Sequence, residues 1–167
     1  MSNNLNIDFS PYEIRNLGEK NFHEIQSFLN LFDDFFILCE GKKGTATGLL
    51  SACPPGKYVK FDKILTGIYS NDVLIGLMDL IKDYPEDEVW TIGYLLIHPT
   101  YRNQKIGSGI VDTISRMKNI KELRCVVQSQ NPRALRFWQK LGFIATSTHK
   151  EKLGDIRNDL FILEKEV

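Results

Sequence analysis

The chain has 167 residues, 43% of them hydrophobic, and its 21 Lys and Arg balance its 21 Asp and Glu. This length suits one hydrophobic core, so the sequence predicts a single domain over residues 1–167 that needs no metal or disulfide to fold. Zero net charge excludes the broad basic surface of proteins that bind nucleic acid or anionic membranes, so any anion site must be local.

The cysteines and the start of the chain indicate the compartment. Cys39, Cys53 and Cys125 are widely spaced, and neither they nor the histidines form a cluster with metal-ligand spacing. Residues 1–8 lack the basic and apolar regions of a signal peptide, and no apolar run approaches the roughly 20 residues that span a bilayer. We therefore expect a cytoplasmic protein with no bound metal and no membrane partner.

The first third of the chain is predicted to form one strand and two helices. Residues 12–17 have the pattern of a short strand. Within 19–53, apolar residues recur near helical spacing, and a Pro-Pro-Gly turn at 54–56 follows. This segment is predicted to contain two short helices.

Residues 63–97 are predicted to form an antiparallel meander. Strands over 64–69, 73–82 and 88–97 are separated by the turn sequences Ser-Asn-Asp and Tyr-Pro-Glu-Asp. The third strand is almost continuously apolar, which is typical of a strand covered on both faces. We expect it to be central in the sheet.

Helices and strands alternate in the next segment. Apolar residues at helical spacing predict a helix over 106–117, and a strand over 123–127 follows, which makes a strand, helix, strand crossover. A second helix is bracketed by a capping Asn131, by Pro132 at its first position and by Gly142 just after its end.

Two last strands complete the predicted sheet. They cover 143–148 and 160–163 and enclose a polar stretch at 150–158. The fold class is therefore α/β, a mixed and mostly antiparallel sheet of about seven strands flanked by about four helices.

A loop rich in cationic and small residues joins the third meander strand to the following helix, within 95–109. The first turn of a helix leaves backbone N–H groups unpaired and carries the positive end of the helix dipole, so a pyrophosphate can bind there. The Gly-Ser-Gly run at 107–109 would allow close approach, and Arg102 and Lys105 would add positive charge. On this segment alone, an ordinary turn with solvated Arg and Lys is the alternative.

Two segments carry distinctive motifs. The first has Leu95, Ile97, Pro99, Arg102 and Gly107, and the second reads Asn-Pro-Arg-Ala-Leu-Arg-Phe-Trp-Gln-Lys-Leu-Gly-Phe at 131–143. Both resemble motifs of the GNAT superfamily of acetyl-CoA-dependent N-acetyltransferases. The first matches the family's Leu-x-Val-x-Pro strand end and Arg-x-x-Gly-x-Gly loop, and the second is similar to its Asn, Ala, aromatic pair and Gly-Phe ending. The predicted element order matches the GNAT fold across nearly the whole chain.

The resemblance implies transfer of the acetyl group of acetyl-CoA to a primary amine on a small molecule or peptide, by a monomer or homodimer, with CoA as product. It places strand backbone against the pantetheine arm and the loop around the pyrophosphate. Asn131 would contact the arm, although it also suits a helix cap, and Phe137 also suits core packing. The implied contacts are Leu95, Leu96, Ile97, Arg102, Asn103, Gln104, Lys105, Ile106, Gly107, Ser108, Asn131, Phe137 and Trp138.

The sequence departs from the family pattern in three places. Lys105 replaces the usual first Gly of the loop. The charge of its side chain would then replace part of the contact between the loop backbone and the pyrophosphate. Trp138 stands where many members carry a Tyr proposed to protonate the leaving thiolate, and an indole N–H is too weak an acid for that role. Thr91 and Val126 occupy strand positions where some members place a catalytic Glu.

The chemistry still needs a group that accepts a proton from the amine. The candidates are Glu88 at the start of the central strand, Asp79 on its neighbour and the turn acids at 86–87, each of which also suits a solvated or structural role. Tyr94 is an alternative acid that also suits burial in the sheet. A strand N–H near Leu96 would stabilise the oxyanion.

Two other classes stay open. A non-catalytic acyl-CoA-binding module would keep the loop and lose acid and base, and it would bind without releasing CoA. A nucleotide-binding α/β protein is disfavoured, because its glycine loop follows the first strand. The acceptor is expected against 19–62 and the turn at 84–88, where acidic residues hint at a cationic amine.

Overall fold

The computed structural model describes residues 3–153 and 155–167, in which seven strands and six α-helices form. The strands are β1 (Glu13–Asn16), β2 (Lys63–Ser70), β3 (Val73–Ile81), β4 (Val89–Ile97), β5 (Glu122–Gln128), β6 (Ile144–Leu153) and β7 (Ile156–Glu166). The helices are α1 (Phe22–Leu29), α2 (Asp33–Glu40), α3 (Ala46–Ser51), α4 (Val59–Asp62), α5 (Ile106–Ser115) and α6 (Pro132–Lys140).

The strands form one sheet in the order β1-β2-β3-β4-β5-β7-β6, with β4 at its centre. Neighbouring strands are antiparallel except β4 and β5, which are parallel and joined through α5. The predicted mixed sheet, the meander, the central position of β4 and the crossover are confirmed.

Hydrophobic clusters cover both faces of the sheet. Because side chains alternate along a strand, Ile64 and Ile68 of β2 pack in the cluster that includes α5 and α6, whereas Leu65 and Tyr69 pack with α1, α2 and α3. The two layers of helices hold β4 between them, so its side chains reach both layers.

The pairing of β4 changes at Gly93. On one side, Ile92 and Tyr94 pair with consecutive residues of β3, so Gly93 is the extra residue of a β-bulge. On the other side, β4 pairs with β5 only as far as Ile92. The two strands therefore diverge, and the edges of 93–97 and 126–128 that face each other have no strand partner in the described chain.

The helices before the meander differ from the prediction. The segment 19–53 contains three α-helices instead of two, because α2 ends at Gly41, whose φ of 75° is left-handed, and the short α3 then begins after Thr45. The Thr45 hydroxyl accepts a hydrogen bond from the Gly48 N–H, which caps α3. The four-residue α4 was also not predicted, because it is too short for a helical pattern.

The prediction that the polar stretch at 150–158 only connects two short strands is wrong, because β6 and β7 extend into it as a long hairpin. β6 is the edge strand, and all its side chains but that of Leu153 are exposed. A strand that is solvated on both faces has no alternating apolar pattern, so the residues of β6 carry no strand signal there.

Candidate active site

The divergence of β4 and β5 opens a cleft of about 810 Å³. Its walls are the splayed strand ends, the loop before α5, one side of α6 and one face of α2. This volume lies within the range of about 300–1,000 Å³ that is typical of ligand sites.

The strand edges at the base of the cleft offer free backbone hydrogen-bonding groups. The bulge at Gly93 bends β4 away from β5, and Leu95, Leu96 and Ile97 then line the cleft with no strand paired to their β5-facing edge. Within this edge, the Ile97 carbonyl accepts a hydrogen bond from Nε of Arg102 at 3.2 Å. An extended ligand that carries amides can pair with such an edge as a further strand would.

The loop before α5 curls through left-handed backbone. Asn103 and Lys105 have φ values of 60° and 62°, and Lys105 directly precedes the first helical residue, Ile106. The left-handed conformation at Lys105 explains why glycine is usual there, and it costs a non-glycine residue about 1–2 kcal/mol. The free N–H groups of the first turn of α5 therefore adjoin a cationic side chain at the cleft.

Gly107 lets α5 and α6 approach closely. A Cβ atom at Gly107 would lie 3.3 Å from Cζ of Phe137 and 3.7 Å from Cγ1 of Ile97. Both neighbours line the cleft, so any side chain at this position would project into its wall.

Five cationic side chains line the cleft, and none forms an ion pair with a carboxylate in the described chain. They are Arg102, Lys105, Arg133, Arg136 and Lys140. Burial lowers the pKa of Arg102, and the positive charge of Arg133 lowers it further. In a chain of zero net charge, this local excess of positive charge favours a polyanionic ligand.

Three of these cations were not predicted as site residues from the sequence. Arg133, Arg136 and Lys140 are spaced at i, i+3 and i+7 along α6, and this spacing places them on one side of the helix. The signal was present as a basic stripe that follows a capping Asn, but an exposed basic stripe is also typical of any solvated helix.

Asn131 and the aromatic pair combine structural roles with positions at the cleft. The Asn131 side-chain oxygen accepts a hydrogen bond from the Ala134 N–H at 3.1 Å, which caps α6. Trp138 is 7% exposed and packs edge-to-face on Phe137 and Phe143, with ring centroids 5.0 Å apart in both pairs. Asn131, Phe137 and Trp138 all line the cleft.

The remaining cofactor candidates line the cleft too, with one exception. Gln104 lies outside the lining, and its amide donates to the carbonyl of Thr100 at 3.2 Å. The positions at which some GNAT members carry Glu supply no acid here: Thr91 is buried and donates its hydroxyl to the Tyr84 carbonyl, and Val126 is an apolar part of the cleft wall.

Asp79 lies directly behind the bulge of β4. It forms an ion pair with Lys63 at 2.7 Å, and both side chains are buried. A Cβ atom at Gly93 would lie 2.8 Å from the carboxylate oxygen Oδ2 of Asp79, whereas Gly93 itself is exposed and lines the cleft. Burial raises the pKa of Asp79, an effect that the Lys63 ammonium partly offsets.

Tyr94 lines the cleft on the α2 side and donates its hydroxyl to the Glu40 carboxylate. Burial and this carboxylate raise the pKa of Tyr94, so the hydroxyl stays protonated. Glu88 lies elsewhere: it occupies a left-handed position before β4, pairs with Lys121 and is not part of the cleft lining. The structure thus brings Tyr94 to the cleft, buries Asp79 behind the cleft-lining Gly93, and leaves Glu88 outside.

Potential metal ligands are scattered through the described residues, where no group of three or more His, Cys, Asp or Glu side chains is placed to share a metal ion. No helix within residues 3–153 and 155–167 has the length and hydrophobicity of a membrane span. Burial raises the pKa of Cys125 in the cleft wall, so its thiol is a poor nucleophile.

The sequence model of the acetyltransferase (GNAT) family matches residues 25–143. Among curated proteins, none has a sequence that matches this chain significantly.

Solved structures share the fold at low sequence identity. An acetyltransferase from Thermus thermophilus is 17% identical with a TM-score of 0.72, over 93% of this chain and 97% of that one. The ribosomal-protein-S18-alanine N-acetyltransferase of Escherichia coli is 12% identical with a TM-score of 0.68, over 93% and 94%. The spermidine N-acetyltransferase of Vibrio cholerae, in complex with CoA and spermine, is 13% identical with a TM-score of 0.67, over 95% and 96%.

Proposed function

The chain belongs to the GNAT family of acetyltransferases, and from this membership we propose that it binds acetyl-CoA in the cleft between β4 and β5 and transfers the acetyl group directly to a primary amine. One observation carries the proposal: within the described chain, five cations without a carboxylate partner and a strand edge without a strand partner line the same cleft. A ligand that combines phosphates with an amide-bearing arm matches both features. The single domain over 1–167, the cytoplasmic location and the monomeric or homodimeric state stay predictions.

The residues divide the binding task between two regions. The first turn of α5, with Arg102 and Lys105, would hold phosphate oxygens, since backbone N–H groups and cations converge there. The edge at 95–97 would hold the amide-bearing arm, and Phe137 would pack beside it. Acetyl-CoA, when bound, supplies an acetyl group already activated as a thioester.

The acetyl transfer itself requires that the amine nitrogen is aligned with the thioester carbonyl and that one group accepts a proton. In the proposed step, the neutral amine nitrogen forms a bond to the acetyl carbon, the carbon–sulfur bond breaks so that CoA leaves as its thiolate, and the amine proton passes to the Asp79 carboxylate. The absence of a side chain at Gly93 lets the Asp79 carboxylate lie against the backbone that lines the cleft, because a Cβ atom there would lie 2.8 Å from Oδ2. A backbone N–H near Leu96 would stabilise the negative charge that develops on oxygen.

A measurement of free thiol tests the proposal. With acetyl-CoA and a panel of primary amines, we expect thiol release that depends on both substrates, and acetyl-CoA alone should raise the melting temperature. Saturation at one hundred times Kd stabilises the native state by about 2.7 kcal/mol. Absence of both effects would contradict the proposal.

The non-catalytic acyl-CoA-binding module is the second candidate. It is favoured by Thr91, Val126 and Trp138, none of which supplies the acid or base that the family usually places there. Thermal stabilisation by acetyl-CoA without thiol release from any amine would support it over the enzyme. Polyamines belong in the panel, since the structurally similar Vibrio cholerae enzyme is a spermidine N-acetyltransferase.

The absence of a tyrosine at position 138 should have little effect on turnover. We expect Trp138→Tyr to change thiol release by less than about tenfold, or ~1.4 kcal/mol in barrier, because a thiol with a pKa near 8.5 leaves tolerably well as its anion. Trp138→Phe is the matched control, since it lacks the hydroxyl that could donate a proton. Steady-state rates of both variants test this, and a Tyr variant a hundredfold faster than both the Phe variant and the wild type would contradict it.

Trp138→Ala gives a separate prediction for binding. Removing the indole should weaken acetyl-CoA binding, because this side chain supplies apolar surface to the cleft wall. The indole is also part of the core, so the variant should lose about 3–5 kcal/mol of stability. Titration below its lowered melting temperature measures the binding change, and an unchanged Kd would contradict the prediction.

A further inference from the structure

The face that α2 turns toward the cleft is mainly apolar. Asp34, Phe35 and Leu38 line the cleft from this helix, and Phe32 lines it just before the helix begins. Their spacing of i, i+1 and i+4 places Asp34 and Leu38 one turn apart, with Phe35 between them. Leu38 is 50% exposed, so a large apolar side chain on this wall is accessible to a ligand in the cleft.

Aromatic rings continue this apolar surface onto the sheet. Phe35 lies edge-to-face with Tyr94, with ring centroids 6.5 Å apart, and Phe36 backs Tyr94 at 5.7 Å. The guanidinium of Arg102 lies 5.6 Å from the centroid of the Phe32 ring. A cation therefore borders the apolar surface on the side of the loop before α5. These contacts fix an apolar wall that is bordered by positive charge.

Most carboxylates near this wall already have a cationic or hydrogen-bonding partner. Asp33 pairs with Lys43 at 3.2 Å, Glu40 accepts from Tyr94, and Asp79 pairs with Lys63 at 2.7 Å. Asp34 is the one carboxylate that lines the cleft, and it forms no ion pair in the described chain. The acceptor end of the cleft therefore offers one unpaired negative charge and a hydrocarbon surface.

Building on the proposed acetyl transfer, we propose that the acceptor is a monoamine whose single amino group is carried on an apolar hydrocarbon or aromatic body, and not a polyamine. Asp34 attracts the acceptor as it enters the cleft in its ammonium form, which loses its proton before the nitrogen attacks the thioester, whereas Phe35 and Leu38 contact the body. A second ammonium group placed against Leu38 would lose its hydration without gaining a partner. Binding of the apolar body, in contrast, removes hydrocarbon surface of both the acceptor and the cleft wall from water.

A pair of amines that differ in one group tests this directly. Hexylamine and 1,6-diaminohexane have the same chain, and a terminal ammonium replaces the methyl group in the diamine. We expect kcat/KM for hexylamine to exceed that for the diamine by at least about tenfold, a difference of ~1.4 kcal/mol. Phenethylamine should also exceed spermidine.

Two neighbouring aliphatic residues provide a matched pair of variants. Leu38→Asp adds a carboxylate to the apolar wall, so the hexylamine preference should fall at least about fivefold. Ile37→Asp adds the same charge at a similarly exposed position, 48% against 50%, which does not line the cleft, and it should leave the preference unchanged. A wild-type preference within threefold of unity or for the diamine, or an equal response of both variants, would overturn the proposal.

The same amines separate a different acceptor class from an absence of acetyl transfer. Thiol release with the diamine but not hexylamine would retain the enzyme and overturn the acceptor class. If no amine in the panel releases thiol, the acetyl-transfer proposal fails. Titration of hexylamine and of the diamine into the CoA-saturated protein then tests amine binding at the apolar wall without turnover. Tighter binding of hexylamine than of the diamine would support the apolar site, and equal, weaker or absent binding would overturn it.

Discussion

Gly107→Glu is expected to abolish the thermal stabilisation by acetyl-CoA while leaving a folded protein. A side chain at this position starts 3.3 Å from the Phe137 ring, in the cleft wall, and its carboxylate would occupy the anion site beside Arg102. Bulk and negative charge would together exclude the phosphates. Differential scanning fluorimetry with and without acetyl-CoA measures the shift, and circular dichroism checks the fold.

A matched control separates charge from position. Gln139→Glu adds the same charge to an exposed position of α6 that does not line the cleft, so the shift should be retained. Ser108→Glu, in the same first turn of α5, carries the test if the Gly107 variant does not fold. A folded Gly107→Glu protein with the wild-type shift would remove the loop from the site.

Asp79→Asn should lower kcat/KM by about 10²–10⁴, the usual contribution of a general base, with the Kd of acetyl-CoA changed less than about twofold. The amide keeps the shape of the carboxylate but cannot accept the amine proton. Thiol release with the best amine of the panel and an acetyl-CoA titration measure the two quantities. Near wild-type turnover in the folded variant would show that Asp79 does not take the proton.

The buried partner of Asp79 must be handled in the same experiment. An unpaired Lys63 in the interior would cost about 3–5 kcal/mol, so the double variant Lys63→Met with Asp79→Asn provides a form without the stranded charge. It should be as inactive as Asp79→Asn but more stable. Recovery of turnover in the double variant would assign the loss to misfolding.

The pH profile of Lys63→Met gives an independent readout of the base. Lys63 favours the charged form of Asp79, so its removal raises the pKa of that carboxyl further. A base must be deprotonated to act, and the acidic limb of kcat/KM should therefore move to higher pH in this variant. A limb that stays in place or moves to lower pH would contradict the assignment.

The sequence predicts well the loop and the helix start that line one side of the cleft, because their signals are local. The loop at 102–108 and the capped start of α6 are contiguous segments whose geometry follows from nearby residues, and Asn131 and Gly142 fulfil their predicted backbone roles. The meander also follows from short-range apolar patterns, whereas these patterns miss the outer part of the exposed β6 and the start of β7. The α6 cations were missed because their partner is a cleft that only the tertiary structure forms.

The side of the cleft formed by α2 and the bulge of β4 depends on contacts between distant segments. Glu40 and Tyr94 are 54 residues apart, and nothing local predicts that α2 would bring them together. The contact between Asp79 and Gly93 depends on a bulge that the apolar run at 89–97 does not reveal. The acid at Glu88 suited the start of the central strand, but the strands diverge at the opposite end of β4, so it faces Lys121 instead.

A crystal structure of the chain with CoA would show whether the cofactor binds between β4 and β5. We expect the amides of the pantetheine arm to pair with the backbone of 95–97 in the gap beyond Ile92, and the pyrophosphate to lie on the first turn of α5 beside Arg102. CoA bound at another surface, with the unpaired edge of β4 left free, would contradict it.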